Sequence, residues 1–325
     1  MAIFMTGATG FIGSHLASHL IESGQQVHAY VRNPDKVPDL AARGVRLFAG
    51  ELDDKEAIVR AMEGCTFGYH LAAFAKVWDR EQATFERINY GGGINIMEAA
   101  VEVGLQKLVL TSTGGVIGPS TGSPAHEGQS GHHDGMTAYE RSKARLEQAV
   151  PGYIDRGLEV VIVNPARVFG PGLLSDSNSE VKLIRSYVNG RFRFVPGDGH
   201  ARASYCDVED VVHGHIAAME RGRCGERYLL GGDNVSYREF FDLVGQLSGK
   251  RYRLFGVPIP LLLGFAKFQV WMARNFGRYP LITPELVRKY AQDWSFSSDK
   301  ARRELGYEPR PLDQTIQRTI DWLRS

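Results

Sequence analysis

A tyrosine and a lysine spaced by one helical turn are the residues of this chain best suited to acid–base chemistry. Tyr139 and Lys143 fall on one face if their segment is helical. Thr137 and Glu140 fit a capping box, so we expect a helix that begins here with Tyr139 in its first turn. The helix dipole and the ammonium both favour the phenolate, which predicts a lowered tyrosine pKa. Such a phenol can exchange a proton with a carbonyl oxygen.

Three hydroxyls upstream are candidates for holding that carbonyl. Residues 108–110 are predicted to form a buried strand, and Thr111, Ser112 and Thr113 follow it. The carboxyl edge of a parallel sheet faces the crevice where ligands bind. We expect one of these hydroxyls to bond the substrate carbonyl beside Tyr139, and at least two of the three simply to close a turn.

A glycine-rich turn near the start of the chain predicts a dinucleotide site. The predicted strand 2–5 and the predicted helix Phe11–Glu22 are joined by the segment TGATGFIG, residues 6–13. Its glycines permit a tight turn and a close approach of the backbone to a pyrophosphate, and the helix N-terminus supplies free N–H groups. The residues that this turn would place at the cofactor are Gly7, Thr9, Gly10, Phe11, Ile12 and Gly13.

The end of the second predicted strand, residues 27–31, indicates which cofactor is bound. An NAD site usually places Asp or Glu about 20 residues after the glycines, on the ribose hydroxyls. Residues 28–34 contain no acid, whereas Arg32 and Lys36 lie at this point of the sequence. Because arginine makes bidentate contacts to phosphate, the sequence favours NADP(H). NAD(H), with both cations merely solvated, is the alternative.

Strand and helix patterns alternate over the first 165 residues. This alternation, with apolar β-branched strands, predicts an α/β fold of the Rossmann type, a doubly wound parallel sheet covered on both faces. The predicted strands are residues 2–5, 27–31, 45–48, 67–71, 108–111 and 160–163. Beyond Pro165, proline and glycine interrupt the pattern. We therefore expect an NADP-binding domain at 1–165, with a return of the chain at about 204–232. A small, mostly helical substrate-binding region is expected at 166–203 and 233–325.

Composition excludes several classes of function. The 38 basic and 37 acidic side chains give a net charge of +1, which leaves no electrostatic footprint for nucleic acid. Three isolated cysteines form neither a disulfide framework nor a zinc site, and no metal is expected at His126, His132 and His133. The longest apolar run, residues 257–266, is about half a bilayer span. No signal segment is expected, which favours a cytoplasmic protein.

These motifs together resemble those of the extended short-chain dehydrogenase/reductases, within the NAD-dependent epimerase/dehydratase superfamily. The resemblance runs nearly from end to end of the chain. Besides the glycine turn and the Tyr139/Lys143 pair, it rests on HLAA at 70–73, Asn89, NPARVFGPG at 164–172, and KA and ELGYEP within 300–309.

The resemblance implies a role for individual residues. Tyr139 would be the general acid and base, and Lys143 would bind the nicotinamide ribose and tune Tyr139. The family's serine falls on Thr113, with Ser112 one place earlier, and Asn89 would support the active-site helix. Further cofactor contacts would be Leu52, Leu71, Ala72, Ala73, Thr111, Pro165 and Val168. Leu52 follows a glutamate where the family commonly has aspartate, which leaves the adenine contact open.

Two branches of that family imply different substrates for this chain. Sugar-nucleotide epimerases and dehydratases usually carry an arginine seven residues before an aspartate. In this chain the residue seven places before Asp210 is Ala203, and the nearest arginine, Arg202, is one place out of register. The other branch contains dihydroflavonol 4-reductases, 3β-hydroxysteroid dehydrogenases and hopanoid-associated epimerase-like proteins. The apolar segment 252–276 fits that branch as a pocket lining. A lid core, a dimer contact and an interfacial membrane helix are also compatible with it. Candidate substrate residues are Phe74, Lys76, Trp78, Thr113 and Arg202.

The sequence thus predicts reversible hydride transfer between NADP(H) and a ketone or secondary alcohol of a hydrophobic small molecule. A nucleotide-sugar epimerase or dehydratase is the alternative, and a non-catalytic NADP-sensing protein is a further one. The resemblance also implies a homodimer built from the helices that follow Asn89 and Tyr139.

Overall fold

The computed structural model describes residues 1–129, 137–174 and 178–325. In these ranges the strands are β1 Ala2–Thr6, β2 Gln26–Val31, β3 Arg46–Ala49, β4 Cys65–His70, β5 Lys107–Thr111, β6 Glu159–Pro165, β7 Arg167–Phe169, β8 Phe194–Pro196, β9 Arg202–Asp207, β10 Arg227–Leu230, β11 Asp233–Ser236 and β12 Phe255–Val257. The helices of the same ranges are α1 Phe11–Glu22, α2 Pro38–Ala42, α3 Lys55–Met62, α4 Ala83–Phe85, α5 Gly92–Glu102, α6 Ala138–Ile154, α7 Ser179–Val188, α8 Val208–Arg221, α9 Tyr237–Ser248, α10 Ile259–Phe276, α11 Pro284–Tyr290, α12 Asp299–Leu305 and α13 Leu312–Arg324.

Seven strands form a parallel sheet in the order β10-β6-β5-β4-β1-β2-β3. The chain moves outward from β1 to β2 and β3, and then crosses to β4 on the other side of β1. The crevice at the carboxyl ends of β1 and β4 is therefore the place where such a sheet binds its ligand. The predicted doubly wound α/β fold is confirmed, and the six predicted strands coincide with β1 to β6 within two residues at each end.

Both faces of the sheet are covered. Ile3 and Met5 of β1 point into the core under α1 and α8, whereas Phe4 points into the core under α3, α5 and α6. All five residues of β1 are buried. This two-sided burial explains why the strands of the first half are continuous apolar runs rather than alternating ones.

A third core lies beside the sheet. Phe169, Phe240 and Ile316 belong to it, and they bring together α7, α9, α13 and the three-stranded sheet β11-β9-β7. The chain returns to the main sheet through α8 and β10, which pairs with β6. The long helix α10 takes little part in any core, because only Ala266 and Ala273 of its 18 residues are buried.

Candidate active site

The glycine turn between β1 and α1 has the shape that a pyrophosphate needs. Gly7 has a φ of +76°, and a Cβ there would lie 2.7 Å from the backbone nitrogen of Ala72. A Cβ on Gly13 would collide with the carbonyl oxygen of Gly7. Gly10 is the N-cap residue of α1, so no cap side chain occupies the first N–H groups of the helix. The turn therefore fits the phosphates of a dinucleotide, held by backbone N–H groups and the helix dipole.

The segment after β4 is fastened to this turn. The Thr6 hydroxyl lies 2.8 Å from Nδ1 of His70 and accepts a 3.1 Å hydrogen bond from the N–H of Ala72. Burial, with a smaller effect from the charge of Lys143, lowers the pKa of His70 to about 3, so this imidazole is neutral. The bonds hold Leu71 and Ala72 against the glycine turn, where the resemblance placed cofactor contacts.

The other predicted cofactor residues lie along the same edge or near it. Arg32 directly follows β2, and Lys36 ends a 3₁₀ turn, Pro34–Lys36; both side chains are exposed. Leu52 packs on Gly92: a Cβ added to Gly92 would lie 2.7 Å from the Cβ of Leu52. At or just after the carboxyl ends of β1, β4 and β6 lie Thr9, Phe11, Ile12, Ala73, Pro165 and Val168.

Helix α6 begins as its sequence predicts. The Thr137 side chain accepts from the N–H of Glu140 at 3.3 Å, and the Glu140 carboxylate accepts from the N–H of Thr137 at 2.8 Å. Glu140 is buried, and its other oxygen pairs with Lys289 of α11. The capping box and this ion pair together fix the first turn of α6, which carries Tyr139.

The pKa of Tyr139 departs from our expectation. Burial raises the pKa of the phenol above its usual value, and the neighbouring Glu140 carboxylate raises it further. The expectation of a lowered pKa was wrong because it counted the dipole and the lysine but not the loss of water around the ring. Tyr139 is consequently protonated near neutral pH, which is the form that donates a proton.

Lys143 is buried one turn further along α6. Its ammonium donates a 2.8 Å hydrogen bond to the carbonyl of Thr111, at the end of β5. Burial lowers the pKa of Lys143 to about 8, against an opposing effect of the Glu147 carboxylate. The ammonium of Lys143 therefore loses its proton near pH 8, within the pH range where many enzymes are active.

Of the three hydroxyls at the end of β5 and just after it, that of Thr113 is the half-buried one. Thr111 and Ser112 are buried, and the Thr111 hydroxyl lies 2.9 Å from Nε2 of His215. The Thr113 hydroxyl accepts a 3.2 Å bond from the N–H of Gly115 and still carries a proton that it can donate. Its position matches the serine of the resemblance.

Asn89 ties two parts of the site together. Its amide oxygen accepts from the N–H of Phe74 at 2.7 Å, and its amide nitrogen donates to the Ser142 hydroxyl at 2.9 Å. Asn89 is buried in a π-helical turn, Glu86–Gly91, between α4 and α5. The sequence pattern predicts a plain helix over residues 89–103, closed by Gly104, but helical structure begins at Ala83 and widens at Asn89. Single π-helical turns occur frequently at functional sites.

A cavity of about 460 Å³ opens beside Tyr139. The predicted substrate residues Lys76 and Trp78 line it, and Phe74 packs edge-to-face on a lining residue, Phe85, at 5.0 Å. Two other predicted substrate residues, Thr113 and Arg202, are not among the lining residues of this cavity. Arg202 lies on β9, where it donates to a backbone carbonyl of β11 and pairs with Glu239 at 3.4 Å.

Much of the cavity wall was not singled out from the sequence. It comes from α10 and from the start of α11, which contribute Lys267, Val270, Trp271, Arg274, Thr283, Pro284 and Glu285. The apolar character of segment 252–276 pointed to α10 as a whole but not to the side that faces Tyr139. Four lining residues are cationic, Lys76, Arg141, Lys267 and Arg274, against one acid, Glu285.

Metal ligands are absent from the part of the chain that the structure describes, since no three His, Cys, Asp or Glu side chains cluster there. His132 and His133 lie outside the described residues. His126 lies within them and is exposed.

Several known proteins are similar to this chain in sequence or in fold. The model of the NAD dependent epimerase/dehydratase family matches residues 3–231. A Synechocystis sp. protein named after dihydroflavonol 4-reductase is 30% identical, over 99% of this chain and 94% of its own length. Sterol demethylase protein B of Methylococcus capsulatus is 32% identical, over 100% of this chain and 98% of its own length.

Two further proteins extend the comparison. The 4-hydroxy-2-methyl-3-oxo-4-farnesyl-3,4-dihydroquinoline-1-oxide ketoreductase of Stigmatella aurantiaca is 31% identical, over 100% of this chain and 96% of its own length. A crystal structure of UDP-glucose 4-epimerase from Thermotoga maritima, with UDP-glucose, covers 100% of this chain and 99% of its own with a TM-score of 0.82. At 24% identity, that likeness is one of fold alone.

Proposed function

The chain belongs to the NAD-dependent epimerase/dehydratase family, and on that premise we propose that it is an NADP(H)-dependent reductase of ketones on hydrophobic small molecules. The observation that carries the proposal is the position of Tyr139, a protonated phenol at the wall of a largely apolar cavity. A bound nicotinamide supplies or takes up the hydride. Oxidation of the corresponding secondary alcohol is the same reaction in reverse.

We assign the following roles to the chain's own residues, in keeping with the family resemblance and with the contacts described above. Tyr139 gives its proton to the carbonyl oxygen of the substrate, and Thr113 donates a hydrogen bond that stabilises charge on the same oxygen. Lys143, fixed by the Thr111 carbonyl, holds the nicotinamide ribose and supports the phenolate left on Tyr139. Asn89 acts as a positioning residue through Ser142, whose hydroxyl donates to the carbonyl of Tyr139 at 2.7 Å.

The preference for NADP(H) is supported by two exposed cations at the end of β2. Arg32 and Lys36 stand where an acidic residue would select the ribose hydroxyls of NAD. A 2′-phosphate there gains charge-assisted hydrogen bonds from arginine. NADP(H) is therefore the proposed cofactor, and NAD(H) the weaker one.

The walls of the cavity support the proposed substrate class. Eight lining side chains are apolar or aromatic, Val77, Trp78, Phe85, Ala138, Tyr139, Val270, Trp271 and Pro284. They suit a flat or polycyclic body. The sterol-related and farnesyl-quinoline names of two relatives are in keeping with such a substrate. The four cations of the same wall favour an acidic group on that substrate.

Those cations also support a second candidate, a nucleotide-sugar epimerase or dehydratase, because a sugar diphosphate is anionic. Arg202, the residue nearest in sequence to that branch's arginine, lies away from the cavity, which favours the reductase. A dissociable cofactor with net turnover is expected of the reductase. A cofactor that co-purifies without net turnover is expected of the epimerase, and cofactor binding without activity on either substrate class is expected of an NADP sensor.

The test is Tyr139→Phe, assayed with NADPH and a panel of apolar ketones. Loss of a general acid should lower turnover about 10²–10⁴-fold while NADPH binding persists. Tyr90→Phe is the matched control, since Tyr90 lies over Arg145, outside the cavity. A Tyr139→Phe variant that keeps most of its activity would remove Tyr139 from this role.

Two expectations about the protein's setting remain proposals. The homodimer built from the helices that follow Asn89 and Tyr139 would use α5 and α6, and light scattering of the purified protein tests it. A cytoplasmic location is tested by fractionation of expressing cells.

A further inference from the structure

One face of α10 exposes large apolar side chains to solvent. Leu261, Phe265, Phe268, Trp271 and Phe276 are 67%, 50%, 55%, 52% and 63% exposed. Their spacing of four, three, three and five residues puts them on one side of the helix, which we call the α10 face. Three of the rings form an exposed aromatic group, with Trp271 stacked on Phe268 at 5.9 Å and edge-on to Phe276 at 5.6 Å.

Further exposed apolar side chains precede and follow this helix in the chain. Phe255 of β12, just before α10, and Phe194 of β8 are exposed with their rings 6.3 Å apart. Leu281, just after α10, is 81% exposed and bonded through its N–H to the Gln269 side chain at 2.7 Å. The contiguous part shown by ring contacts is the group Phe268, Trp271 and Phe276, and exposed apolar surface of this kind marks an interaction site.

The charge around the α10 face is one-sided. Residues 250–281 contain six basic side chains, Lys250, Arg251, Arg253, Lys267, Arg274 and Arg278, and no acidic one. The whole chain, by contrast, has a net charge of only +1. An aromatic face flanked by Lys and Arg is the pattern of helices that lie in the headgroup region of an anionic bilayer.

The positive charge around α10 also distinguishes between a second copy of the chain and a lipid surface as the partner of the α10 face. A second copy seated on the same face would bring two sets of basic side chains together, and like charges facing each other oppose association. An anionic lipid surface neutralises them. Among the described residues no helix is long and apolar enough to span a bilayer. A membrane contact through α10 is therefore peripheral.

The α10 face lies beside the catalytic cavity. Trp271 belongs to the face and also lines the cavity, as do Lys267, Val270 and Arg274 on the adjoining side of the helix. Tyr139 lines the same cavity. The same helix thus contributes both to the cavity that holds the reacting phenol and to the exposed apolar surface.

We propose that this protein docks peripherally on anionic lipid bilayers through the α10 face. The aromatic side chains enter the headgroup region, and the basic side chains contact lipid phosphates. In that position the cavity opens next to the headgroup region, so an apolar substrate has only a short path from the lipid to Tyr139. This last step rests on the proposed reductase function, whereas the docking itself does not.

The experiment is co-sedimentation of the full-length protein with vesicles of phosphatidylcholine alone, or with 30% phosphatidylglycerol. We expect at least tenfold tighter binding to the anionic vesicles, weakened by 0.5 M salt because the charges are exposed. The double variant Phe265→Ser/Phe268→Ser should lose at least tenfold of this binding. Its NADPH affinity and thermal midpoint should stay unchanged, because neither residue lines the cavity. Leu174→Ser is the matched control, since Leu174 is 45% exposed and lies outside the α10 face.

Fluorescence of the unaltered protein gives a second readout. Brominated lipids should quench tryptophan emission, and Trp271→Phe should abolish that quenching, since the face contains this tryptophan. Absence of binding to anionic vesicles, or full binding by the double variant, would overturn the proposal. So would a stable dimer that the double variant converts to monomer while vesicle binding is unaltered, because the face would then be a protein contact. Vesicle binding needs no turnover, so docking and reductase activity can fail separately.

Discussion

The ammonium of Lys143 donates a 2.8 Å hydrogen bond to the main-chain carbonyl of Thr111. This bond couples α6, which carries Tyr139, to the strand end that leads to Thr113. Because burial lowers the pKa of Lys143 to about 8, its positive charge is lost as the pH rises through that value. We predict that kcat/KM with NADPH declines above about pH 8, as measured from pH 6 to pH 10.

The variant that tests this alkaline decline in kcat/KM is Lys143→Met, which keeps the apolar stem of the side chain and removes the ammonium. Its activity should be low at every pH, with no decline centred near pH 8. A wild-type profile that stays flat to pH 10 would contradict the assignment.

Two buried histidines predict that acid destabilises the fold. Burial lowers the pKa of His70 to about 3 and that of His215 to about 4, whereas unfolded histidine titrates near its usual 6.5. Below about pH 6.5 the unfolded chain therefore binds protons that the folded chain does not, and stability falls as the pH falls. At pH 5 the loss should be about 2 kcal/mol for each histidine, read from urea unfolding at pH 7 and pH 5.

The variant His215→Gln tests the origin of that loss, because glutamine can still accept from the Thr111 hydroxyl. About half of the acid-dependent change should disappear. His200→Gln, at an exposed site, should leave the change intact. Equal free energies of unfolding at pH 7 and pH 5 would show that neither imidazole is held neutral.

Gly13→Ala should abolish cofactor binding, because the added Cβ meets the carbonyl of Gly7 and forces the turn open. Gly152→Ala is the control, since Gly152 lies in α6 with nothing within 4 Å of the added methyl. That control should bind NADPH normally and gain about 0.5–1 kcal/mol in stability from the lower entropy of its unfolded chain. NADPH fluorescence titration measures the first effect and urea unfolding the second. Normal affinity in Gly13→Ala would refute the phosphate site.

Arg32→Ala should reduce the preference for NADPH over NADH. The wild type is expected to prefer NADPH at least tenfold, about 1.4 kcal/mol. The variant should lose that preference with NADH affinity unchanged, because only the 2′-phosphate contact is removed. Arg43→Ala is a suitable control, since Arg43 is engaged with Ser18 and Glu22. Equal binding of the two cofactors by the wild type would argue for NAD(H) and move the functional proposal toward the sugar-nucleotide branch.

The sequence predicted those features that a few consecutive residues encode. The β1–turn–α1 unit, the capping box at Thr137 and the positions of β1 to β6 follow from local spacing, turn chemistry and hydrophobic period. The helix after β4 was predicted less well. Its π-helical turn depends on the bonds of Asn89 to Phe74 and Ser142, and both partners are distant in sequence.

Tertiary structure alone decided the electrostatics and the walls of the site. The raised pKa of Tyr139 comes from burial, and burial depends on segments far from residue 139 in the chain. The Thr111 hydroxyl is engaged by His215, about a hundred residues away in the chain, and Ser112 is buried, which leaves Thr113 as the half-buried hydroxyl. The α10 contribution to the cavity and the position of Arg202 on β9 likewise depend on how distant elements pack. Short-range patterns carry no information on solvent exclusion or long-range packing, so they predicted the fold and the candidate reacting residues but not the environment in which those residues lie.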